Sequence, residues 1–243
     1  MTAGSGDRVA LVHGFTQTSR CWGRVATDLA ADHQVVAIDA PGHGDSSDQA
    51  TDLWETANLL VAAAGHACYL GYSMGGRMAL HAALAHPKQV DRLILVSATA
   101  GIEDDVERAV RRRADDESAD RIEKIGVDAF LAEWLAQPMF DSLPATERDL
   151  EERRRNTAAG LASSLRRAGT GSQEPLWDRL AGLSMPVLLV SGSLDHKFSA
   201  LAGRMAELIG DNARWVLLAG GHTIHREAAV FSETVRGWLA ETA

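Results

Sequence analysis

Six short apolar runs punctuate this chain, and helical patterns fill most of the spaces between them. The runs are RVALVHG (8–14), QVVAIDA (34–40), ACYLGYS (67–73), RLILVSA (92–98), PVLLVSG (186–192) and RWVLLAG (214–220). Each is bounded by turn residues and is apolar almost throughout, as strands covered on both faces should be. Helical patterns lie at about 20–31, 51–64, 74–86, 200–209 and 225–241. This alternation predicts an α/β fold, a mostly parallel sheet flanked by helices. A length of 243 residues suffices for one such domain with a full core.

One region breaks the alternation. From about Gly101 to Pro175 no strand pattern is found, and the stretch holds the helical runs VDAFLAEWLAQ (127–137) and ATERDLEERRR (145–155). Inserted between two strands, residues 101–175 are expected to form a helical cap over the C-terminal edge of the sheet, with 1–100 and 176–243 as the core. The plainer alternative is a set of surface helices with no catalytic part. The charge-rich run 103–124 reads as a solvated helix rather than a disordered tail.

Composition narrows the partners. The formal net charge of −9 argues against a general nucleic-acid binder. No apolar run approaches the ~18 residues of a membrane span, and the opening MTAGSGDRVALVHGF lacks the pattern of a signal peptide. Cys21 and Cys68 both lie in apolar company, which fits buried thiols in a reducing compartment, and a cytoplasmic location is expected. No metal-ligand cluster, phosphate-cradling loop or dinucleotide fingerprint is found, so no metal or cofactor is expected. Whether the protein is a monomer or a homo-oligomer is left open by the sequence. The basic residues are 21 Arg and only 3 Lys, a skew that matters only where arginines converge, because Arg forks onto carboxylates while Lys acts as a point charge.

Gly71-Tyr72-Ser73-Met74-Gly75 matches G-x-S-x-G, with an apolar strand before it and a helical run after it. That context marks a nucleophile elbow, with the serine on a tight strand-to-helix turn. A serine hydroxyl needs a base, and in folds of this kind the acid and then the histidine follow it in the chain. Asp195 lies just past the strand 186–192 and His222 just past the strand 214–220, both at the same sheet edge as Ser73. Asp39 is the alternative acid and His225 the alternative base. His81 and His86, on the elbow helix, are expected in solvated or capping roles. Two backbone donors would form an oxyanion hole, the N–H of Met74 and that of Phe15 in the loop after the first strand.

These elements together resemble the α/β-hydrolase superfamily, through VHGF, DAPGHGDS, GYSMGG, GSLD and GGHTIH in the expected order. A narrower resemblance, which extends through the cap, joins GYSMGGRMAL, FLAEWLAQPMFDSL, GLASSLRRAGTGSQEPLWDRL, GSLDHKF and GGHTIHRE. Through these the chain is similar to the 2-succinyl-6-hydroxy-2,4-cyclohexadiene-1-carboxylate synthases of menaquinone biosynthesis. The resemblance implies a lyase that eliminates pyruvate from an enolpyruvyl cyclohexene carboxylate, begun by proton abstraction and needing no acyl-enzyme. It implies a small-molecule substrate with three carboxylates, held by Arg77 on the elbow helix and by the cap arginines Arg113 and Arg155, with Arg112 and Arg154 as adjacent alternatives. Trp134 and Tyr72 match pocket residues of that family. The short leader predicts that the first two strands of a full superfamily sheet are absent. A serine hydrolase of esters, thioesters or C–C bonds would use the same three catalytic residues and is the rival activity. A non-catalytic sensor on the same fold is the third reading, against which the intact triad stands.

Overall fold

The computed structural model describes residues 1–144, 146 and 148–242. Its strands are β1 (Thr2–Ala3), β2 (Arg8–Val12), β3 (Gln34–Ile38), β4 (Ala67–Tyr72), β5 (Val90–Val96), β6 (Val187–Gly192) and β7 (Ala213–Leu218). They form one sheet in the order β1-β3-β2-β4-β5-β6-β7. All neighbouring pairs are parallel except β1 with β3. The six strands expected from the apolar runs are all present, with ends displaced by at most two residues. Strand β1 was not expected. Two residues are too few to show a pattern, and this strand exists through main-chain pairing alone, Thr2 opposite Val36 and Ala3 opposite Val35.

The helices are α1 (Gly23–Leu29), α2 (Leu53–Ala64), α3 (Met74–Ala85), α4 (Asp105–Trp134), α5 (Leu150–Arg153), α6 (Ala158–Ala168), α7 (His196–Ile209) and α8 (Ala228–Glu241). Helices α1 and α8 cover one face of the sheet, where Val25, Leu29, Phe231 and Val235 bury against Leu11, Leu70 and Ile94. Helices α2, α3 and α7 cover the other, with Leu60, Met78 and Met205 against Tyr69, Leu93 and Leu189. Strand β7 departs from the expectation of burial on both faces. It is an edge strand, and Trp215 and Leu217 are 42% and 51% exposed. Among the described residues no helix is long and apolar enough to cross a membrane.

The connections dictate where a ligand can sit. From β2 the chain crosses to β3 on one side, and from β4 it crosses to β5 on the other. The loops leaving β2 and β4 therefore diverge, and the crevice at their carboxyl ends is the usual ligand position in an open α/β sheet. Between β5 and β6 the chain makes α4, α5 and α6, which build small apolar clusters of their own, one of them around Ile122, Phe130, Leu161 and Leu165. Helix α4 loses helical geometry at Gly126 (φ 79°, ψ 171°), a conformation open to glycine and costly for other residues. Beyond that break Phe130 and Trp134 turn onto Phe15 at the mouth of the crevice. The expected run 127–137 is this second segment of α4. Of the run 145–155 only Leu150–Arg153 is α-helical, and Ala145 and Glu147 lie outside the described residues.

The closest backbone approach lies where α3 leaves β4. A Cβ on Gly75 would stand 2.0 Å from the carbonyl oxygen of Val12 and 2.6 Å from that of His13. Both are backbone atoms of the strand end that carries the next loop, so neither yields cheaply. Gly75→Ala is expected to destabilise the fold by about 2–3 kcal/mol, within the range for overpacked interiors, and to lower Tm by roughly 5–10 °C. A thermal melt that matches the parent within 1 °C would show that this contact does not constrain the packing.

Candidate active site

The turn between β4 and α3 sets the site. Ser73 has φ 52° and ψ −110°, a strained backbone for a residue other than glycine. Such strain costs on the order of 1–3 kcal/mol and persists only where the surroundings over-determine it. Here they do. The Ser73 amide donates to the Val96 carbonyl at 2.8 Å, and glycines at 71, 75 and 76 let the strand end and the helix start touch. The side chain of Ser73 is thereby lifted above the sheet edge, and the residue stays partly accessible.

Two loops bring partners to it. Asp195 caps α7 just past β6, its Oδ1 accepting from the Phe198 amide at 3.4 Å. Its Oδ2 lies 2.7 Å from Nδ1 of His222, and Nε2 of His222 lies 3.2 Å from Oγ of Ser73. An ionised carboxylate can only accept, so Nδ1 carries the proton and Nε2 is left to receive one from the serine. The rings of Phe198 and Tyr72 flank the imidazole at 4.5 and 5.5 Å. Ser73, His222 and Asp195 thus form one connected chain of hydrogen bonds. Asp39 is not part of it. Its carboxylate accepts from the amides of Ser19 and Asp45; burial pushes it up, but those amides outweigh burial and hold it below the ordinary range. His225 is not part of it either. It is buried in the turn before α8, its ring 4.0 Å from Tyr72 and 5.4 Å from Trp22.

The loop after β2 forms the facing wall. Among the described residues neither the Phe15 nor the Met74 amide has a hydrogen-bond partner; Met74 follows Ser73 as the first residue of α3, and Phe15 lies in the loop after β2. Phe15 is roofed by Trp134, ring to ring at 5.1 Å, and Trp134 packs in turn on Phe130 and Phe140. The indole N–H of Trp134 is buried with no acceptor among the described residues. Under the loop lie two buried imidazoles that sequence reasoning did not single out. His13 takes the Ala40 amide at Nε2, and His43 takes the Thr16 amide at Nε2. His81, expected to be solvated or capping, is buried too, donating Nδ1–H to the Arg77 carbonyl and packing on Trp54. His86 is half-buried, and its Nε2 lies 2.7 Å from Asn58 Oδ1.

The arginines divide. Arg77 is buried against the end of α6, where Nη1 donates to the Ala168 carbonyl at 2.8 Å and to Gln173 Oε1 at 3.4 Å. Burial lowers its pKa to about 10. Arg113 and Arg155 are exposed, and Arg155 pairs with Asp45 and Glu152. The inward arginine of the second run is Arg153, which is 2% exposed. Its Nη1 donates to Thr16 Oγ1 and Phe15 O, and its Nε to Arg148 O. In RRRN the helix α5 ends at Arg153, whose side chain turns onto the loop after β2, while Arg154 and Arg155 lie past the helix end and pair with surface acids. In the first run Arg111 holds the inner side, paired with the buried Asp115. Among the described residues neither Arg77 nor Arg153 makes a salt bridge; Asp115 and Asp149 act on them only at longer range.

The sheet order, the strained serine turn and the three-residue hydrogen-bond chain define a serine-centred member of the α/β-hydrolase class. The sequence profile of the alpha/beta hydrolase family matches residues 9–234. The chain belongs to that family. A 2-succinyl-6-hydroxy-2,4-cyclohexadiene-1-carboxylate synthase of Enterobacter sp. (strain 638) is 31% identical over 90% of this chain and 86% of its own length. A Bacillus subtilis (strain 168) protein named for the same synthase is 34% identical over 91% of this chain and 85% of its own. Among solved structures, MenH from S. aureus superposes with a TM-score of 0.93 at 30% identity, covering 100% of this chain and 98% of that one.

Four buried histidines give this region a pH signature. Burial lowers His13 to about 4, His43 to about 3 and His81 to about 4 from an ordinary 6.5, and it drives His225 down as well. The unfolded chain binds protons on these rings below pH 6.5, while the folded chain does not until about pH 4. The unfolded state therefore binds more protons across that window, and stability rises with pH through it. Tm is expected to be level above about pH 7 and to fall steeply from pH 6.5 toward 4, with His43→Gln flattening part of the fall. A Tm that holds steady from pH 7 down to 4.5 would mean that these rings are not kept neutral.

Proposed function

We propose that this protein is a lyase of menaquinone biosynthesis that eliminates pyruvate from an enolpyruvyl-hydroxy-succinyl-cyclohexene carboxylate to give 2-succinyl-6-hydroxy-2,4-cyclohexadiene-1-carboxylate. The observation that carries the substrate class is the pair of buried guanidiniums, Arg77 and Arg153, whose acceptors here are all neutral. A buried cation without a paired anion costs several kcal/mol. Asp115 and Asp149 offset part of this from a distance; a substrate with three carboxylates would supply a direct partner, and Arg forks onto carboxylates with two parallel bonds.

The chemistry follows from the product. The ring carbon that bears the succinyl ketone carries an acidified proton. Ser73 Oγ takes that proton while its own passes to His222 Nε2, and Asp195 steadies the imidazolium. The C–H electron pair becomes the first ring double bond, the existing double bond shifts by one position, and the C–O bond to enolpyruvate breaks. Enolpyruvate then takes up the proton at carbon and leaves as pyruvate, so that the enzyme returns to its starting state. Charge that develops on the succinyl ketone oxygen falls to the Phe15 and Met74 amides, and no acyl-enzyme forms. Trp134 and Tyr72 wall the ring.

Ester hydrolysis would use the same serine, base and donors. The buried arginines favour the polyanion over a neutral ester.

Given the enolpyruvyl substrate, purified protein is expected to release pyruvate, read with lactate dehydrogenase, far above the spontaneous rate, and Ser73→Ala is expected to return it to that baseline. Release at baseline together with turnover of simple esters would place the protein among the hydrolases. Arg77→Ala is expected to lower kcat/KM for the polyanion roughly 10- to 100-fold, the loss of a hydrogen bond to a charged group, and to leave p-nitrophenyl acetate turnover within about twofold. An equal fall for the neutral ester would remove Arg77 from substrate binding.

A further inference from the structure

Thr16, next to the Phe15 donor, is fully buried and has φ 66°, an outlier for a β-branched residue. Every polar atom of this residue is engaged. Its amide donates to Nε2 of His43 at 3.3 Å, its carbonyl accepts from Nδ2 of Asn156 at 2.7 Å, and its hydroxyl accepts from Arg153. His43 belongs to the loop after β3, whereas Arg153 ends α5 and Asn156 lies in the segment joining α5 to α6, 137 and 140 residues beyond Thr16. Asn156 is itself 5% exposed and fully committed. Besides Thr16 O, Nδ2 donates to Arg153 O at 2.9 Å, and Oδ1 accepts from the Gly44 amide at 2.9 Å. Two carbonyls and one amide around one side chain fix which end of it is oxygen.

These bonds bear on catalysis through the planarity of the peptide. The carbonyl of Gly14 accepts from the Gln17 amide at 3.1 Å and from His13 Nδ1 at 2.8 Å. In a trans peptide the N–H points opposite the C=O, so fixing Gly14 O aims the Phe15 N–H outward, toward the crevice. The next two peptides are pinned at Phe15 O and Thr16 N, and at Thr16 O. Of these pins, those on Phe15 O and Thr16 O come from Arg153 and Asn156.

We propose that Asn156 is a positioning residue for catalysis: by tying Thr16 to Gly44 it holds the strained loop that aims the Phe15 amide, so the oxyanion donor is complete only with the α5–α6 segment seated. The role rests on Ser73 as the catalytic centre and not on the identity of the substrate. Asn156→Asp has the same shape but sets an oxygen against two carbonyls. With the enolpyruvyl substrate it is expected to lower kcat about 30- to 100-fold with KM changed less than threefold, since removal or misplacement of one oxyanion donor costs on that order. A second readout is the rate at which diethyl p-nitrophenyl phosphate modifies Ser73, because its P=O oxygen needs the same donors. That rate is expected to fall by a similar factor. His43→Leu is expected to act in the same way, and His43→Gln, which keeps an acceptor near Nε2, to restore most of the rate; this pair also tests the proposal if Asn156→Asp does not fold. Unchanged kcat and unchanged phosphorylation in a folded Asn156→Asp protein would overturn the assignment. So would a raised KM with both rates intact, which would make Asn156 a substrate contact. If the parent protein releases no pyruvate but its Ser73 phosphorylation still slows about 30-fold on Asn156→Asp, the positioning role stands and the lyase reading fails.

Discussion

The left-handed backbone of Ser73 is the constraint to which the rest of the sheet edge is referred. Its φ of 52° turns the chain from β4 into α3 without an intervening loop. The hydroxyl thus stands at a helix N-terminus, where developing negative charge is favoured. Everything else must come to it. Strands in a sheet lie about 4.8 Å apart, and β7 is three strands from β4, so the loop carrying His222 must travel back roughly 14 Å. Its route crosses the end of β6, where a Cβ on Gly192 would stand 2.2 Å from the Gly221 carbonyl and 2.4 Å from that of Gly220. The glycine at 192 is what lets the return path lie flat. Asp195, three residues further on, then reaches the imidazole from beneath that path.

What the sequence made legible follows from which features are local. A buried parallel strand is apolar along its whole length, so Val9–Val12, Cys68–Leu70 and Val187–Val190 announce themselves without reference to any partner. The G-x-S-x-G turn is equally local, since Gly71, Ser73 and Gly75 answer to contacts within one strand–helix junction. The cap arginines are different. RRR at 111–113 and at 153–155 offers three charges of the same kind, and which one faces inward depends on the local turn of the chain. That turn is set by packing far away in the chain, Asp115 against the Gly171 amide in one case and Asn156 against Thr16 in the other. His81 failed for a related reason. A histidine on a helix looks solvated until the indole of Trp54, from α2, is found lying on it. The roles of His43 and Asn156 were not legible at all, because each depends on one backbone atom of Thr16 contributed by another element.

The acidic composition and the proposed polyanionic substrate are reconciled by where the charges point. These four acids of α4 face solvent and are tied there, Asp120 and Glu123 to Arg166, Glu133 to Arg121 and Asp128 to Arg154. Exposed pairs of this kind contribute little to stability, but they neutralise the outer face. Asp115 is the buried exception, and it is consumed by Arg111 and the Gly171 amide. Inward, the balance reverses. Arg77 and Arg153 stay charged while the imidazoles of His13, His43, His81 and His225 are kept neutral by burial. Two buried cations act over a lower effective dielectric than the exterior and count for more than the formal charge of −9 spread over the surface. Lyase and esterase chemistry share the serine, its base and its donors. What separates them is the charge that holds the substrate, which we assign to Arg77 on α3 and Arg153 on α5 rather than to the triad.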